Sequence, residues 1–389
     1  MELKRNLKMG MVGGGPGAFI GEVHRKAARM DGGVELVGGA FDINPRKSKQ
    51  MGKVLKLDPK RVYRTYEEMI ERELKLPEGE RFDFVAVTTP NNWHFPIARD
   101  LLEAGFHVMC EKPMTLTSKE AKALRTVVKK SRRVFGLMHN YTGYPMVKLA
   151  RDMVKAGDLG KIRKVVVRYS QGWLTTALEK TGQMQAAWRT DPKQSGAGCV
   201  GDIGTHAENL AEYITGLKIT HICTDVSTFV KGRRVDDDIN CLIRLNNGAK
   251  GILYASQISV GDENNFAIWI YGEQKSLEWY QEHPNYLYVK EQNGPLQVWR
   301  RGNPYIGVKS PAAERANRIP SGHPEAFIEA FANIYRNFVD TVGAKMSKKK
   351  PDPLVLDFPN VDDGLRGMLF IETVLASGQS GQKWTKMKT

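Results

Sequence analysis

Between residues 9 and 138, apolar runs of strand length alternate with amphipathic runs of helix length, and few folds accept such a chain. Met9–Val12 is the first apolar run, and Gly13 ends it. Phe19–Met30 reads as a helix, Val34–Phe41 as a strand and Pro45–Leu55 as a helix. A weaker strand pattern at Arg61–Arg64 leads into the helix Tyr66–Glu73. Phe82–Thr88 (FDFVAVT) is nearly continuous in apolar residues, the pattern of a parallel strand covered on both faces. Pro96–Ala104 is a helix stopped by Gly105, Phe106–Cys110 a strand, Ser118–Ser131 a helix and Val134–Met138 a strand. The alternation predicts a parallel sheet with right-handed crossovers.

The texture changes near residue 145. Met146–Ala156 reads as a helix, followed by Gly157 and Gly160. The strand patterns Lys164–Gln171, Ile222–Val230, Asn240–Leu245, Ala249–Ile258, Phe266–Tyr271, Ser276–Tyr280 and Tyr286–Val289 come next, with Asn246–Asn247–Gly248 as a hairpin turn. Helices at Pro324–Val342 and Asp362–Ala376 close the chain. At 389 residues it is too long for one ordinary core. Two domains are expected: an α/β domain with a parallel sheet over residues 1–142, and an α+β domain with a large mixed, mostly antiparallel sheet over residues 143–389.

The glycine loop Gly13–Gly14–Gly15–Pro16–Gly17–Ala18–Phe19 lies where the first strand feeds the first helix. Positions without side chains let the backbone approach a pyrophosphate, and the helix N-terminus adds amides and a positive dipole. Either Ala18 fills the third place of a G-x-G-x-x-G/A pattern, or Gly21 does so after a two-residue insertion. Asp42 ends the second strand, 21 residues after Gly21. There a carboxylate would either accept the hydroxyls of an adenosine ribose or cap the next helix. As a ribose ligand it repels a 2′-phosphate and favours NAD over NADP, while Arg46 nearby pulls the other way. Thr88–Thr89–Pro90–Asn91 follows the fourth strand pattern and Glu111–Lys112–Pro113 the fifth, so both open at the sheet edge where ligands bind.

Two elements carry chemistry. Lys112 is either a substrate-holding amine or a surface lysine paired with Glu111. Asp202 and His206, four apart in GDIGTH, share one face of a helix; they are either a general base with its carboxylate or an N-cap and a core histidine.

Together these motifs resemble the Gfo/Idh/MocA family of nicotinamide-dependent oxidoreductases. The resemblance rests on Gly21–Glu22–Val23–His24, Thr89–Pro90–Asn91 with His94, Ala104–Gly105–Phe106–His107–Val108–Met109–Cys110–Glu111–Lys112–Pro113, Gly157–Asp158–Leu159–Gly160 and Asp202–Ile203–Gly204–Thr205–His206, and within the family the stretches GGGPGAFIGEVHRKA and SGHPEAFIEAFANIYRNF resemble an inositol- or sugar-dehydrogenase-like subgroup. It implies a Rossmann domain whose NAD contacts come from Gly13, Gly15, Pro16, Gly17, Ala18, Phe19, Asp42, Thr89, Pro90, Asn91, His94, Glu111 and Lys112. It also implies that Lys112 holds a substrate hydroxyl, His206 removes its proton, and Asp202 partners His206. The expected substrate is a secondary alcohol of a sugar, glycoside or polyol. Tyr141, Trp173, Trp188, Arg189 and His323 are candidate substrate walls, aromatics for sugar faces and Arg189 for an anionic group. Two other readings stay open: a redox-neutral glycoside-cleaving enzyme with tightly held NAD, and a non-catalytic dinucleotide-binding sensor.

Net charge is +15, but the basic residues are spread along the chain, and the runs KKSRR (Lys129–Arg133) and KKK (Lys348–Lys350) accompany no recognition motif. A nucleic-acid partner is not expected. Cys110, Cys199, Cys223 and Cys241 fit no metal-ligand spacing, so reduced thiols and no metal are expected. No apolar run reaches the ~18 residues of a membrane span, and no signal-peptide pattern opens the sequence. A cytoplasmic protein, forming a dimer or tetramer through the outer face of the second sheet, is the expectation.

Overall fold

The computed structural model describes residues 5–388. The chain forms two compact units, Met1–Asn140 with Phe331–Leu365, and Tyr141–Ala330 with Arg366–Thr389.

The first unit holds five parallel strands: β1 (Leu7–Gly13), β2 (Val34–Ala40), β3 (Phe84–Thr88), β4 (His107–Cys110) and β5 (Phe135–Leu137). Their order is β2-β1-β3-β4-β5. The chain steps outward from β1 to β2, then returns to the other side of β1 for β3. The reversal leaves a crevice at the C-terminal ends of β1 and β3, where Gly13 lies in register with Thr88. Every residue of β3 is buried, as its unbroken apolar run requires. The helix expected at Pro96 begins two residues earlier, at His94, and Pro96 sits in its first turn, where no N–H is needed.

Arg61–Arg64 does not form a strand. Pro59–Arg61 is a 3₁₀ turn, and Val62 makes a single bridge to Gly39. The pattern there marks packing: a side-chain carbon at Gly52 would fall 2.4 Å from a Val62 methyl, and Tyr63 donates to the buried Glu73 carboxylate. Residues 331–365 also join this unit, whereas the sequence places them in the second domain. The helix Phe327–Met346 lays Phe338 edge-on against Phe84, ring centres 5.3 Å apart, and Leu137 N–H donates to the Pro359 carbonyl. An apolar helical stripe does not declare which sheet it will cover.

The second unit holds one nine-stranded sheet: β6 (Lys164–Ser170), β7 (Ile219–Ser227), β8 (Asp238–Leu245), β9 (Lys250–Ser256), β10 (Asn265–Tyr271), β11 (Lys275–Tyr280), β12 (Tyr286–Glu291), β13 (Gln297–Arg300) and β14 (Thr385–Lys386). The order is β13-β12-β11-β10-β6-β9-β8-β7-β14, parallel between β6 and β9 and antiparallel elsewhere. The short edge strands β13 and β14 carry too few apolar residues to be read from sequence. Alternation then divides the faces. Val165, Val167, Leu253, Ile243, Ile268 and Ile270 are buried on one side, where the helices Pro145–Lys155 and Thr205–Thr215 pack. Leu242, Ile252, Val166 and Trp269, paired directly across four strands, line the other side, and Leu242 and Ile252 are exposed. All four cysteines are free thiols, and no helix among the described residues is long and apolar enough to cross a membrane.

His107, at the start of β4, accepts a hydrogen bond at Nδ1 from the Val134 N–H, 2.7 Å. Burial, with the nearby charges of Arg133 and Lys345, pushes its imidazole down to about 3. The unfolded chain therefore binds a proton that the fold refuses. This stability is present above about pH 6.5 and is lost as pH falls from there toward 3. His107→Asn should remove up to about 3 kcal/mol of the stability difference between pH 7 and pH 4.5, measured by urea unfolding at the two pH values.

Candidate active site

In the first unit, the loop after β1 turns through three left-handed residues, Gly13, Gly14 and Gly17, before the helix Phe19–Arg29. The packing glycine is Gly21. A side-chain carbon there would lie 2.3 Å from Gly14 Cα, so helix and loop meet backbone to backbone. This decides for the two-residue insertion over Ala18 as third glycine; Ala18 is the N-cap. Arg25, a buried residue that motif reasoning passed over, donates to the Gly14 carbonyl at 2.9 Å and holds the loop on its helix. Gly15 leaves room for Asp42: a side-chain carbon on it would fall 3.1 Å from Asp42 Oδ2. Asp42 Oδ1 accepts from Asn44 N–H, and the next helix is capped by Asn44 itself, so the capping alternative for Asp42 is set aside.

These residues fit a dinucleotide. The helix start carries no side-chain cap, which leaves its amides to an anionic ligand. Beyond β3, the Thr89 hydroxyl and Asn92 Oδ1 are buried without a hydrogen-bond partner, polar atoms that a polar ligand would satisfy. Pro16 and the exposed Phe19 stand on the loop and first turn as the sequence suggests.

His94 differs from its expected role. It is fully buried, with Nδ1 2.7 Å from the Pro113 carbonyl and Nε2 2.9 Å from that of Thr89. Both ring nitrogens face main chain, so the residue ties the Thr89–Pro90–Asn91 loop to the Glu111–Lys112–Pro113 loop and has no nitrogen left for a cofactor. Glu111 is likewise buried. Its Oε2 accepts the Lys112 N–H, and its Oε1 meets His24 Nε2 at 2.7 Å. His24 Nδ1 in turn meets the Tyr335 hydroxyl at 2.6 Å. Burial alone would raise the Glu111 carboxyl, but the bond from His24 and the charge of Lys112 outweigh it and hold the group below its usual range. The half-buried Lys112 thus sits on a carboxylate that stays ionised. The buried His139 imidazole is pushed down to about 3 by burial and by the charge of Lys112.

In the second unit, Asp202 lies in a single π-helical turn, Val200–Gly204, which opens into the helix Thr205–Thr215 that begins with Thr205 and His206. Such turns redirect side chains and recur at functional sites. Asp202 Oδ2 accepts from Gln257 Nε2 at 2.8 Å and faces Arg189 Nε at 3.4 Å. His206 is 5% exposed and edge-on to Tyr141, ring centres 4.8 Å apart. Tyr141 shares a hydrogen bond with the Tyr169 hydroxyl, and burial pushes its phenol up to about 12.

Two of the expected substrate walls change role. Tyr141 is buried under His206 and braces it. Arg189 is engaged by Asp202, by Gln185 Oε1 at 2.6 Å and by the face of Trp188 at 4.2 Å, so its charge is already answered within the protein. Trp188 and Trp173 are half-buried, Trp173 donating to Gln171 Oε1, and His323 is exposed. Gln257 had no signal in the sequence, since a lone Gln outside a motif is most often structural.

Residues 7–139 match the Gfo/Idh/MocA oxidoreductase family, NAD-binding Rossmann fold, and residues 147–278 match the C-terminal domain of that family. An uncharacterised oxidoreductase of Bacillus subtilis (strain 168) is 33% identical over 390 residues, covering 99% of this chain and 98% of its own. The crystal structure of an oxidoreductase from Sinorhizobium meliloti is 41% identical with a TM-score of 0.88, covering 98% of this chain and 100% of its own. An inositol dehydrogenase homologue from Azotobacter vinelandii is 34% identical over 99% of this chain and 98% of its own. Its complex with NAD+ gives a TM-score of 0.92 and its complex with NADH and myo-inositol 0.89. The glycine loop, the Glu111–Lys112–Pro113 element and the Asp202–His206 turn therefore sit in a chain that belongs to the Gfo/Idh/MocA oxidoreductase family, with an NAD-binding Rossmann domain at its N-terminal end.

Proposed function

We propose that this protein is an NAD-dependent dehydrogenase acting on a secondary alcohol of a cyclic polyol or sugar. The observation that carries the reading is the turn Val200–Gly204, which sets a carboxylate one turn before a buried imidazole, in a chain whose other domain binds NAD. The relative that holds NADH and myo-inositol supports the substrate class. In this reading the unit built on the parallel sheet, to which residues 331–365 belong, binds the nucleotide, and the unit built on the nine-stranded sheet receives the substrate and forms the oligomer.

Asp42 takes the adenosine ribose, and its charge favours NAD over NADP. The amides around Gly15, Gly17, Ala18 and Phe19 take the pyrophosphate, and Thr89, Pro90 and Asn91 border the nicotinamide side. The bound NAD supplies the hydride acceptor. Lys112 donates to the substrate hydroxyl, with the ionised Glu111 beneath it keeping the local charge balanced. His206 removes the hydroxyl proton, and Asp202 stabilises the imidazolium that results. With Arg189 already paired to Asp202, a neutral substrate suits this side of the site better than a phosphorylated one. Trp173, Trp188 and His323 remain candidates for its outer wall. The outer face of the nine-stranded sheet, with its row of Leu242, Ile252, Val166 and Trp269, is the dimer surface in this reading. The free thiols support a cytoplasmic protein in this reading.

His206→Ala should cut turnover by about 10²–10⁴-fold with NAD still bound, followed as NADH absorbance with myo-inositol and a panel of sugars and polyols. Undiminished turnover would refute the base. Asp42→Ala should weaken NAD about tenfold or more in calorimetry and narrow the gap between NAD and NADP, because charge-assisted bonds to the ribose are lost. Ile252→Arg should lower the mass seen by sedimentation to that of a monomer; an unchanged mass would move the interface elsewhere.

A further inference from the structure

The helical segment that carries Asp202 and His206 starts with amides that have no partner inside the helix. One residue meets three of them in succession. The Asp236 carboxylate, buried just before β8, accepts Gly198 N–H at Oδ1 and Val200 N–H at Oδ2, both at 2.7 Å. Its main-chain carbonyl accepts Cys199 N–H at 3.0 Å. The approach is so close that a side-chain carbon at Gly198 would fall 1.8 Å from the Asp236 carbonyl oxygen, which restricts position 198 to glycine. A buried carboxylate is costly without such bonds, so the turn and the acid hold one another in place.

Asp202 itself is gripped from the end of the neighbouring strand. Gln257, 2% exposed, follows β9 and donates from Nε2 to Asp202 Oδ2. Its own backbone is fastened on both sides, its N–H to the Asp237 carbonyl at 2.9 Å and its carbonyl to Leu174 N–H at 3.1 Å. Asp237 is anchored in turn by the buried Arg233, 3.1 Å away. An amide presented from so fixed a backbone selects one rotation of the carboxylate and favours its ionised form.

We propose that Gln257 and Asp236 are positioning residues for the Asp202–His206 pair: Gln257 sets the orientation and charge of the Asp202 carboxylate, and Asp236 sets the turn that carries it. The inference rests on the catalytic reading of Asp202 and His206. The titratable groups about Asp202 are Arg189 from the helix Met184–Arg189, His206 one turn on, and the buried phenols of Tyr141 and Tyr169. Gln257 itself does not titrate, so its replacement by an acid makes a readable change.

The test compares Gln257→Leu, Gln257→Glu, Asp236→Asn and His206→Ala in the full-length enzyme, measuring kcat, KM for NAD and pH profiles with the best polyol substrate. Gln257→Leu should lower kcat about 10-fold to 100-fold at unchanged KM for NAD, the worth of one hydrogen bond to a charged group. Gln257→Glu should keep activity at low pH, where the protonated acid donates as the amide does. It should lose activity as pH rises and two carboxylates come to face each other, adding a falling limb that the native enzyme lacks. Asp236→Asn should lower kcat further, and if it fails to fold the two Gln257 variants still decide. Native kcat and pH profile in both Gln257 variants, with His206→Ala inactive, would overturn this inference and leave the catalytic reading standing. A fully active His206→Ala would overturn that reading and this inference with it.

Discussion

Burying a carboxylate costs several kcal/mol unless its lone pairs are met, and beside each set of candidate catalytic groups this protein buries one and meets it. Glu111 takes His24 and the Lys112 amide; Asp236 takes the amides of Gly198 and Val200. Neither acid is presented to a ligand. Each fixes the backbone from which a reactive group projects, the amine of Lys112 in one case and the Asp202–His206 turn in the other. A dry, fully bonded acid cannot shift without exposing an unpaired charge, so the geometry it holds is stiff.

The two acids differ electrostatically. Around Glu111, the His24 bond and the Lys112 charge outweigh burial and hold the carboxyl low. Around Asp236, burial wins and raises the group despite its amide bonds. The partners explain the contrast: Glu111 has His24 first and then the charge of Lys112, while Asp236 is met by main-chain amides and the Arg233 charge is directed to Asp237 and Glu179. Lys112 is therefore part of the electrostatic support of its own loop, and its removal would disturb Glu111. His24 and Tyr335 extend this support, joining the nucleotide-loop helix to the helix Phe327–Met346.

The second unit answers a different demand. A nine-stranded sheet needs cover on both faces, and its helices supply it on one. The buried side places Tyr169 and Phe266 in a stack 4.4 Å apart, with Tyr141 edge-on to both and to His206. The imidazole rests on an aromatic floor that excludes water from beneath it. The opposite side keeps its row of apolar residues facing outward, and this division follows from strand alternation alone.

Apart from the strand expected at Arg61–Arg64, the strand and helix order in the first 140 residues was legible, as were the glycine loop, the Glu111–Lys112–Pro113 element and the Asp202–His206 spacing, because each is a local pattern. A strand buried on both faces must be apolar throughout, a backbone nearing phosphate must lack side chains, and residues four apart on a helix share a face. What tertiary structure decided lay between distant segments. It chose Gly21 over Ala18 as packing glycine, made His94 a brace between two loops, and paired Arg189 with Asp202. It also returned residues 331–365 to the first unit and brought Gln257 and Asp236 against the turn that carries Asp202. Hydrogen bonds and packing between separate elements leave no periodicity in a chain, so folding alone reveals which buried polar group answers which.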